Sequence, residues 1–364
     1  MKANQRLLCV RSDMTSLPPA ICASRPRGFT LVELMVALAI ASILLVALAT
    51  MFINTSISRG ELDKSSRQIE SGRYAIQILS DEIRHAGYFG AIPNAPALPG
   101  TVTSLPDPCT TVLTDVQNSI GLPLQGYPGK STAGALDTGK LACLNAAAGY
   151  KANTGVIVVR RADTSIAAAA PTSGFYNIQT SGCAGDATRY VFDSYANAGS
   201  FTLHANTAPG CLPLISAPIA LITPVYIRIF YVSTCSDADC SAAGHDSVPT
   251  LKRMDITPGG ASTPVSLVDG IENLQFEYGI DSAFTDGTPD AYSSAPAFAD
   301  WQNVMAVRVY VLARNLESTS GYSDPKTYTF GTAATYTPSG SDLSYRRHAY
   351  SELVRLNNPS GRRE

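Results

Sequence analysis

Residues 29–53 read FTLVELMVALAIASILLVALATMFI, apolar throughout except for Thr30, Glu33, Ser42 and Thr50. Rising about 1.5 Å per residue as a helix, these ~25 residues span roughly 37 Å, enough for a hydrocarbon core of about 30 Å. The run predicts a membrane-crossing helix. After it the period changes. In NTSISRGELDKSSRQIESGRYAIQILSDEIRHAG, Leu62, Ile69, Ile76 and Ile83 recur every seventh residue, with Leu79 and Ala86 alongside. Glu61, Lys64, Arg67, Glu70, Arg73, Asp81 and Arg84 cover the other sides, as in an amphipathic helix, and Gly87 is placed to cap its C-terminus. One helix of roughly 87 Å is expected over residues 29–86, apolar all round in its first half and amphipathic in its second.

Downstream the pattern becomes that of strands. Leu274, Phe276, Tyr278 and Ile280 alternate with Gln275, Glu277 and Gly279, and Val307, Val309 and Val311 alternate with Arg308, Tyr310 and Leu312. Further short runs, at 155–161, 189–195, 201–205 and 224–233, are separated by Gly, Pro, Ser and Asn clusters, the punctuation of antiparallel sheet. The expected fold class is α+β: a long N-terminal helix whose amphipathic half packs on an antiparallel sheet, forming a head on a helical stalk. The expected divisions are 1–28, 29–87 with the membrane segment 29–53, and 88–364.

Charge sharpens this reading. Only 15% of the 364 residues are charged and the formal net charge is -2, with no basic block interleaved with aromatics, so no nucleic acid partner is expected. Before the apolar run, Lys2, Arg6, Arg11, Arg25 and Arg27 outnumber Asp13, which holds the N-terminus in the cytoplasm and places the rest in an oxidising compartment. Glu33 is then anomalous, since an acid near the centre of a membrane helix costs about 2.5–3.5 kcal/mol, less near its end. It needs a partner. A cut after Gly28 would supply one: Phe29 would carry an α-amine, positive near neutral pH, at the positive end of the helix dipole. A simple cleaved secretory signal would instead place small residues after the run.

The segment RGFTLVELMVALAIASILL resembles the type III signal of type IV prepilins and the related pseudopilins, with a basic leader ending at Gly28. The resemblance implies cleavage between Gly28 and Phe29 by a prepilin peptidase, N-methylation of Phe29, and pairing of Glu33 with the terminal amine of a neighbouring subunit during assembly. The leader is long for that family, and Met14 is an alternative start to Met1. VSLVDGIENLQFEYGID (265–281), WQNVMAVRVYVLAR (301–314), YRRHAYSELVRLNNPSGRRE (345–364) and AGYFG (86–90) are similar to PilW-type minor pilins. That likeness implies an inner-membrane subunit with a periplasmic head that helps prime pilus assembly and sits at or near the extracellular pilus tip. Its implied partners are other minor pilins, the major pilin, the assembly platform and a tip adhesin. A type II secretion pseudopilin is the alternative. A tethered periplasmic binding protein would account for the anchor but not for Gly28 and Glu33.

Cysteine usage fits export. Cys9 and Cys22 precede Gly28, leaving Cys109, Cys143, Cys183, Cys211, Cys235 and Cys240. Fifteen pairings are open to six cysteines, and sequence-local bridges are the simplest: Cys109–Cys143, Cys183–Cys211 and Cys235–Cys240. A metal on Cys235, Cys240 and His245 is disfavoured, because the spacing matches no zinc signature. Asp281, Asp286 and Asp290 beside Gly287 form a weak calcium candidate that misses the usual loop spacing; otherwise no cofactor is expected. GYPGKST (126–132) lacks the first glycine of a phosphate loop and reads as a turn. His85, His204, His245 and His348 are scattered, no hydrolase motif is present, and an enzyme is not expected. Tyr345–His348 reads as a solvated strand edge.

Overall fold

The computed structural model describes residues 28–90, 92, 98, 102–130, 140–205, 218–283 and 286–361. The chain divides into two compact units, Met1–Ser58 and Arg59–Glu364. A single helix, α1 (Leu31–His85), begins in the first unit and ends in the second.

In the first unit α1 is the expected all-round apolar helix. Three of its polar side chains are satisfied within the helix: the hydroxyls of Ser42, Thr50 and Thr55 donate to the carbonyls of Ala39, Ala47 and Met51, each at 2.8 Å. This back-bonding removes their demand for water.

In the second unit α1 buries Gln68, Gly72, Ala75, Ile76, Leu79, Ser80 and Ile83. The seven-residue repeat therefore describes only the later turns. Leu62 is 69% exposed and Ile69 39% exposed, because a straight helix drifts by about 20° per heptad and its buried stripe follows a period of 3.6. After His85 the chain turns at Gly87, whose φ of 73° is the left-handed conformation of a helix C-cap.

A short helix, α2 (Leu113–Ser119), precedes the strands. In chain order these are β1 (Leu124–Tyr127), β2 (Val156–Ala162), β3 (Tyr176–Thr180), β4 (Tyr190–Ser194), β5 (Ile222–Ser233), β6 (Thr250–Thr257) and β7 (Gly260–Ala261). Then come β8 (Val265–Asp269), β9 (Ile271–Ile280), β10 (Ala291–Ser293), β11 (Val304–Arg314), β12 (Tyr328–Phe330), β13 (Ala334–Tyr336) and β14 (Arg347–Arg355). All pairings are antiparallel. One sheet runs β1-β2-β5-β3-β4, with β6 also on β5 and carrying β7 and β8; a second runs β10-β9-β11-β14; β12 and β13 form a hairpin. The α+β expectation holds.

The helix stripe meets both larger sheets. Ala75, Ile76, Leu79 and Ile83 share a core with Leu274 and Phe276 of β9, Val307, Val309 and Val311 of β11, Val354 of β14, and Ile157 and Phe230 of the larger sheet. The opposite face of that larger sheet builds a second core around Val158, Ile229, Tyr231, Met254 and Ile256, covered by Phe89 and Val116. Burial on both faces is why residues 156–159 read as an unbroken apolar run rather than an alternating one. Gly126 and Tyr127, expected in a turn, instead end β1, while Ser131 and Thr132 lie outside the described residues.

Candidate assembly site on the N-terminal helix

The site begins at the first turn of α1. Thr30 caps it: the Thr30 N–H and hydroxyl both donate to Glu33 Oε2 at 3.2 Å, and the Glu33 N–H donates to Thr30 Oγ1 at 3.2 Å. This is a reciprocal capping box, the S/T-x-x-E pattern in which two otherwise orphaned backbone donors are satisfied. The motif is legible in T-L-V-E but is easily read as part of the apolar run. It holds the Glu33 carboxylate at the positive end of the dipole, in the first turn of the helix.

Among the described residues nothing packs around that end. Phe29 is 86% exposed, and a Cβ built on Gly28 would meet no atom within 4 Å. Along the helix Leu31, Met35, Leu45 and Phe52 are likewise exposed. The most apolar 18-residue window has a mean hydropathy of 2.7 and is 0% buried. So large a continuous apolar surface is of the kind that lipid or other helices cover.

The second unit grips its part of α1 through polar anchors as well as the core. Gln68 Nε2 donates to the carbonyls of Ala313 and Arg346, both at 2.8 Å. Glu82 accepts from Arg161 Nε at 3.1 Å and Nη2 at 3.2 Å, and pairs with Arg228. Burial pushes the Glu82 carboxyl up, but these two guanidinium groups outweigh it and leave its pKa below the ordinary 4.5. Arg84 binds Glu352 of β14 at 2.8 Å. Ile69, outside the core, lines an open groove of about 860 Å³ with Tyr74, Leu267 and Leu316.

The solvated edge expected at Tyr345–His348 is corrected at one position. The Arg347 side chain is fully buried, paired with Glu272 and with Asp324 Oδ2 at 3.3 Å. Arg314 Nη1 joins at 3.5 Å and Lys151 Nζ at 4.0 Å from Glu272 Oε1. Burial raises the Glu272 carboxyl, yet Arg347, Lys151 and Arg314 together hold it below the usual range. Burial also draws Lys151 down to about 8, against the pull of Glu272.

The expected Cys109–Cys143 and Cys235–Cys240 bridges are formed. Cys183 is disulfide-bonded, and Cys211 lies outside the described residues. Cys235 Sγ clusters with carboxylate oxygens of Asp237 and Asp246, but its disulfide removes the thiolate that a metal would need. The three calcium candidates serve local turns. Asp281 accepts from the Gly287 N–H at 3.2 Å, Asp286 from the Thr288 N–H at 2.9 Å, and Asp290 from the Ser282 N–H at 2.8 Å. His204 binds Asp186 at 2.8 Å and His85 contacts the Asp81 carbonyl at 2.7 Å; both are structural contacts.

Two protein families match the chain. The family described as Type IV Pilus-assembly protein W matches residues 229–358, from within β5 through β14, and the Prokaryotic N-terminal methylation motif matches residues 23–49, which include Gly28, Phe29, Thr30 and Glu33. No curated protein and no solved structure is significantly similar.

Proposed function

We propose that this type IV pilin-like protein, with a prepilin-type methylation motif at one end and a PilW segment toward the other, is a minor pilin that helps prime pilus assembly at or near the pilus tip. Before assembly it is stored in the inner membrane through residues 29–53, with its N-terminus in the cytoplasm and the Arg59–Glu364 unit in the periplasm. A prepilin peptidase cuts between Gly28 and Phe29, and Phe29 is N-methylated. The helix then leaves the lipid for a filament of like helices, alongside other minor pilins, the major pilin, the assembly platform and a tip adhesin. No catalytic step and no cofactor enters this role.

The capped, exposed start of α1 carries the proposal. Glu33 is the one acid of the apolar run, and Thr30 holds it at the turn where cleavage would create a new amine. In a medium of low dielectric the two opposite charges attract strongly, and pairing between subunits sets their register. A plain anchor has no use for this charge and bears its desolvation cost.

The test is the mature N-terminus and its dependence on residue 33. Mass spectrometry of the native protein is expected to find methylated Phe29 as the first residue, and Glu33→Ala to be cleaved yet lost from sheared pili. A chain that still begins with its leader, or a Glu33→Ala protein that enters pili at the native level, overturns the reading. Deletion separates the pilus from a type II secretion pseudopilus: twitching is expected to fail while secretion continues. Calorimetric titration with calcium is expected to show no heat from Asp281, Asp286 and Asp290.

A further inference from the structure

The assembly role proposed above draws on none of the polar groups around Cys235–Cys240. Lys252, on β6, has a side chain with 0% exposure. Its Nζ lies 3.4 Å from Cys240 Sγ and 3.7 Å from Cys235 Sγ, and it donates to the Asp237 carbonyl. Burial pulls the Lys252 ammonium below the ordinary lysine value, and the carboxylates of Asp237, Asp246 and Asp239, from the loop after β5, and of Asp269, from β8, face it and offset only part of that fall. His245 stands beside Asp239. Ser233 Oγ is 3.1 Å from Cys240 Sγ. A buried cation against both sulfurs contributes little to a closed disulfide, which carries no charge. It stabilises a thiolate, against the opposing carboxylates of Asp237 and Asp246, whose oxygens lie within 4.8 Å of Cys235 Sγ.

The other described bridge differs. Among the described residues no lysine or arginine reaches the sulfurs of Cys109–Cys143, where the contact at sulfur is the Cys143 N–H at 3.2 Å from Cys109 Sγ. That bridge also closes a separation of 34 residues against 5 for Cys235–Cys240, and the longer closure gains more from restricting the unfolded chain.

We propose that Cys235–Cys240 is an exchangeable disulfide, a site at which a dithiol opens and recloses the bond while Lys252 acts as the positioning residue for the thiolate released. Cys240 is the more exposed residue of the pair, 8% against 0% for Cys235, and its sulfur is taken as the one attacked. A thiolate of the dithiol forms a bond to Cys240 Sγ, the Cys235–Cys240 bond breaks, and Cys235 leaves as a thiolate beside Lys252. The second thiol of the reagent then displaces Cys240, closing the reagent's own disulfide. Two electrons pass from the dithiol, which is oxidised, to the protein disulfide, which is reduced. Of the two protons the dithiol gives up, one ends on a protein thiol and one is released, because one cysteine remains a thiolate.

The experiment equilibrates the full-length protein in detergent with dithiothreitol at graded ratios of reduced to oxidised reagent. Free thiols are trapped by alkylation and each cysteine is read by peptide mass spectrometry. Cys235–Cys240 is expected to open at a ratio roughly ten-fold lower than Cys109–Cys143. Lys252→Met is expected to move that transition toward Cys109–Cys143 by about three- to ten-fold, with Lys252→Arg restoring most of the shift. Coincident opening of the two bridges, or a folded Lys252→Met protein with an unchanged transition, overturns the proposal. If Lys252→Met does not fold, the unsubstituted protein decides. Because one proton is released, reduction of Cys235–Cys240 by dithiothreitol is expected to become more favourable with rising pH, by up to about ten-fold per unit between about pH 6 and 8. Cys109–Cys143 stays nearly constant over that range, and equal pH dependence of the two bridges overturns the proposal.

Discussion

Glu33 has two partners available at two stages. In the structure it accepts from Thr30 and completes the cap of α1; after cleavage the proposed second partner is an amine. Two substitutions separate the roles. Glu33→Gln keeps a side-chain acceptor for Thr30 but removes the charge, and is expected to leave processing intact while lowering incorporation into sheared pili several-fold by immunoblot. Thr30→Ala keeps the charge and removes the cap, costing the helix start about 1 kcal/mol, and is expected to reduce incorporation less than Glu33→Gln. The reverse order would place the cap, and not the charge, at the centre of assembly. Arg347 raises a different issue, because it neutralises two buried acids, Glu272 and Asp324. Arg347→Met leaves Asp324 without this cation and Glu272 with only Arg314 and Lys151, and is expected to cost about 3–5 kcal/mol in urea unfolding of the full-length protein. A loss below about 1 kcal/mol would show that Arg314 and Lys151 suffice for Glu272.

At the scale of the element, two glycines of α1 that look alike in the sequence behave oppositely. A Cβ on Gly60 would meet nothing within 4 Å, whereas one on Gly72 would overlap the Tyr350 ring. Gly60→Ala is therefore expected to stabilise by about 0.5–1 kcal/mol through helix propensity alone. Gly72→Ala gains the same propensity but must displace Tyr350 of β14, and overpacking of about 1–3 kcal/mol makes the net change unfavourable. Thermal melts of the two proteins should move in opposite directions. The β9 strand teaches a related lesson. Its alternation predicts one wet face, yet all its positions are buried. Glu277, on the polar side, accepts from the Tyr310 hydroxyl at 2.7 Å and the Thr332 N–H at 2.6 Å, so the turn between β12 and β13 stands where solvent was expected.

For the whole molecule, the buried carboxylates set the response to acid. Glu82 and Glu272 both lie below the ordinary 4.5, so the folded chain binds their protons less readily than the unfolded chain does. Their contribution is present above the unfolded value and is lost as pH falls through the lowered folded values. Chemical denaturation is expected to show stability falling steadily from about pH 5 toward pH 3. A Glu82→Gln protein should lose less over the same interval, and an equal loss would remove Glu82 from the account.

Much of this protein is local and was legible as such. An apolar run of membrane length, a basic flank before it, a glycine after its last turn, and Cys235 and Cys240 five residues apart each depend on residues within a few turns of one another. The helix, its glycine cap and the Cys235–Cys240 bridge follow from them. Pairings between distant segments were not available to that reading. Burial of Arg347 against Glu272, 75 residues away, the covering of β9 on its polar face, and the approach of Lys252 to Cys235 and Cys240 all arise when separate strands are brought side by side. A residue's charge can be read from its letter, but the desolvation and the partner that decide its effect are properties of the packed chain.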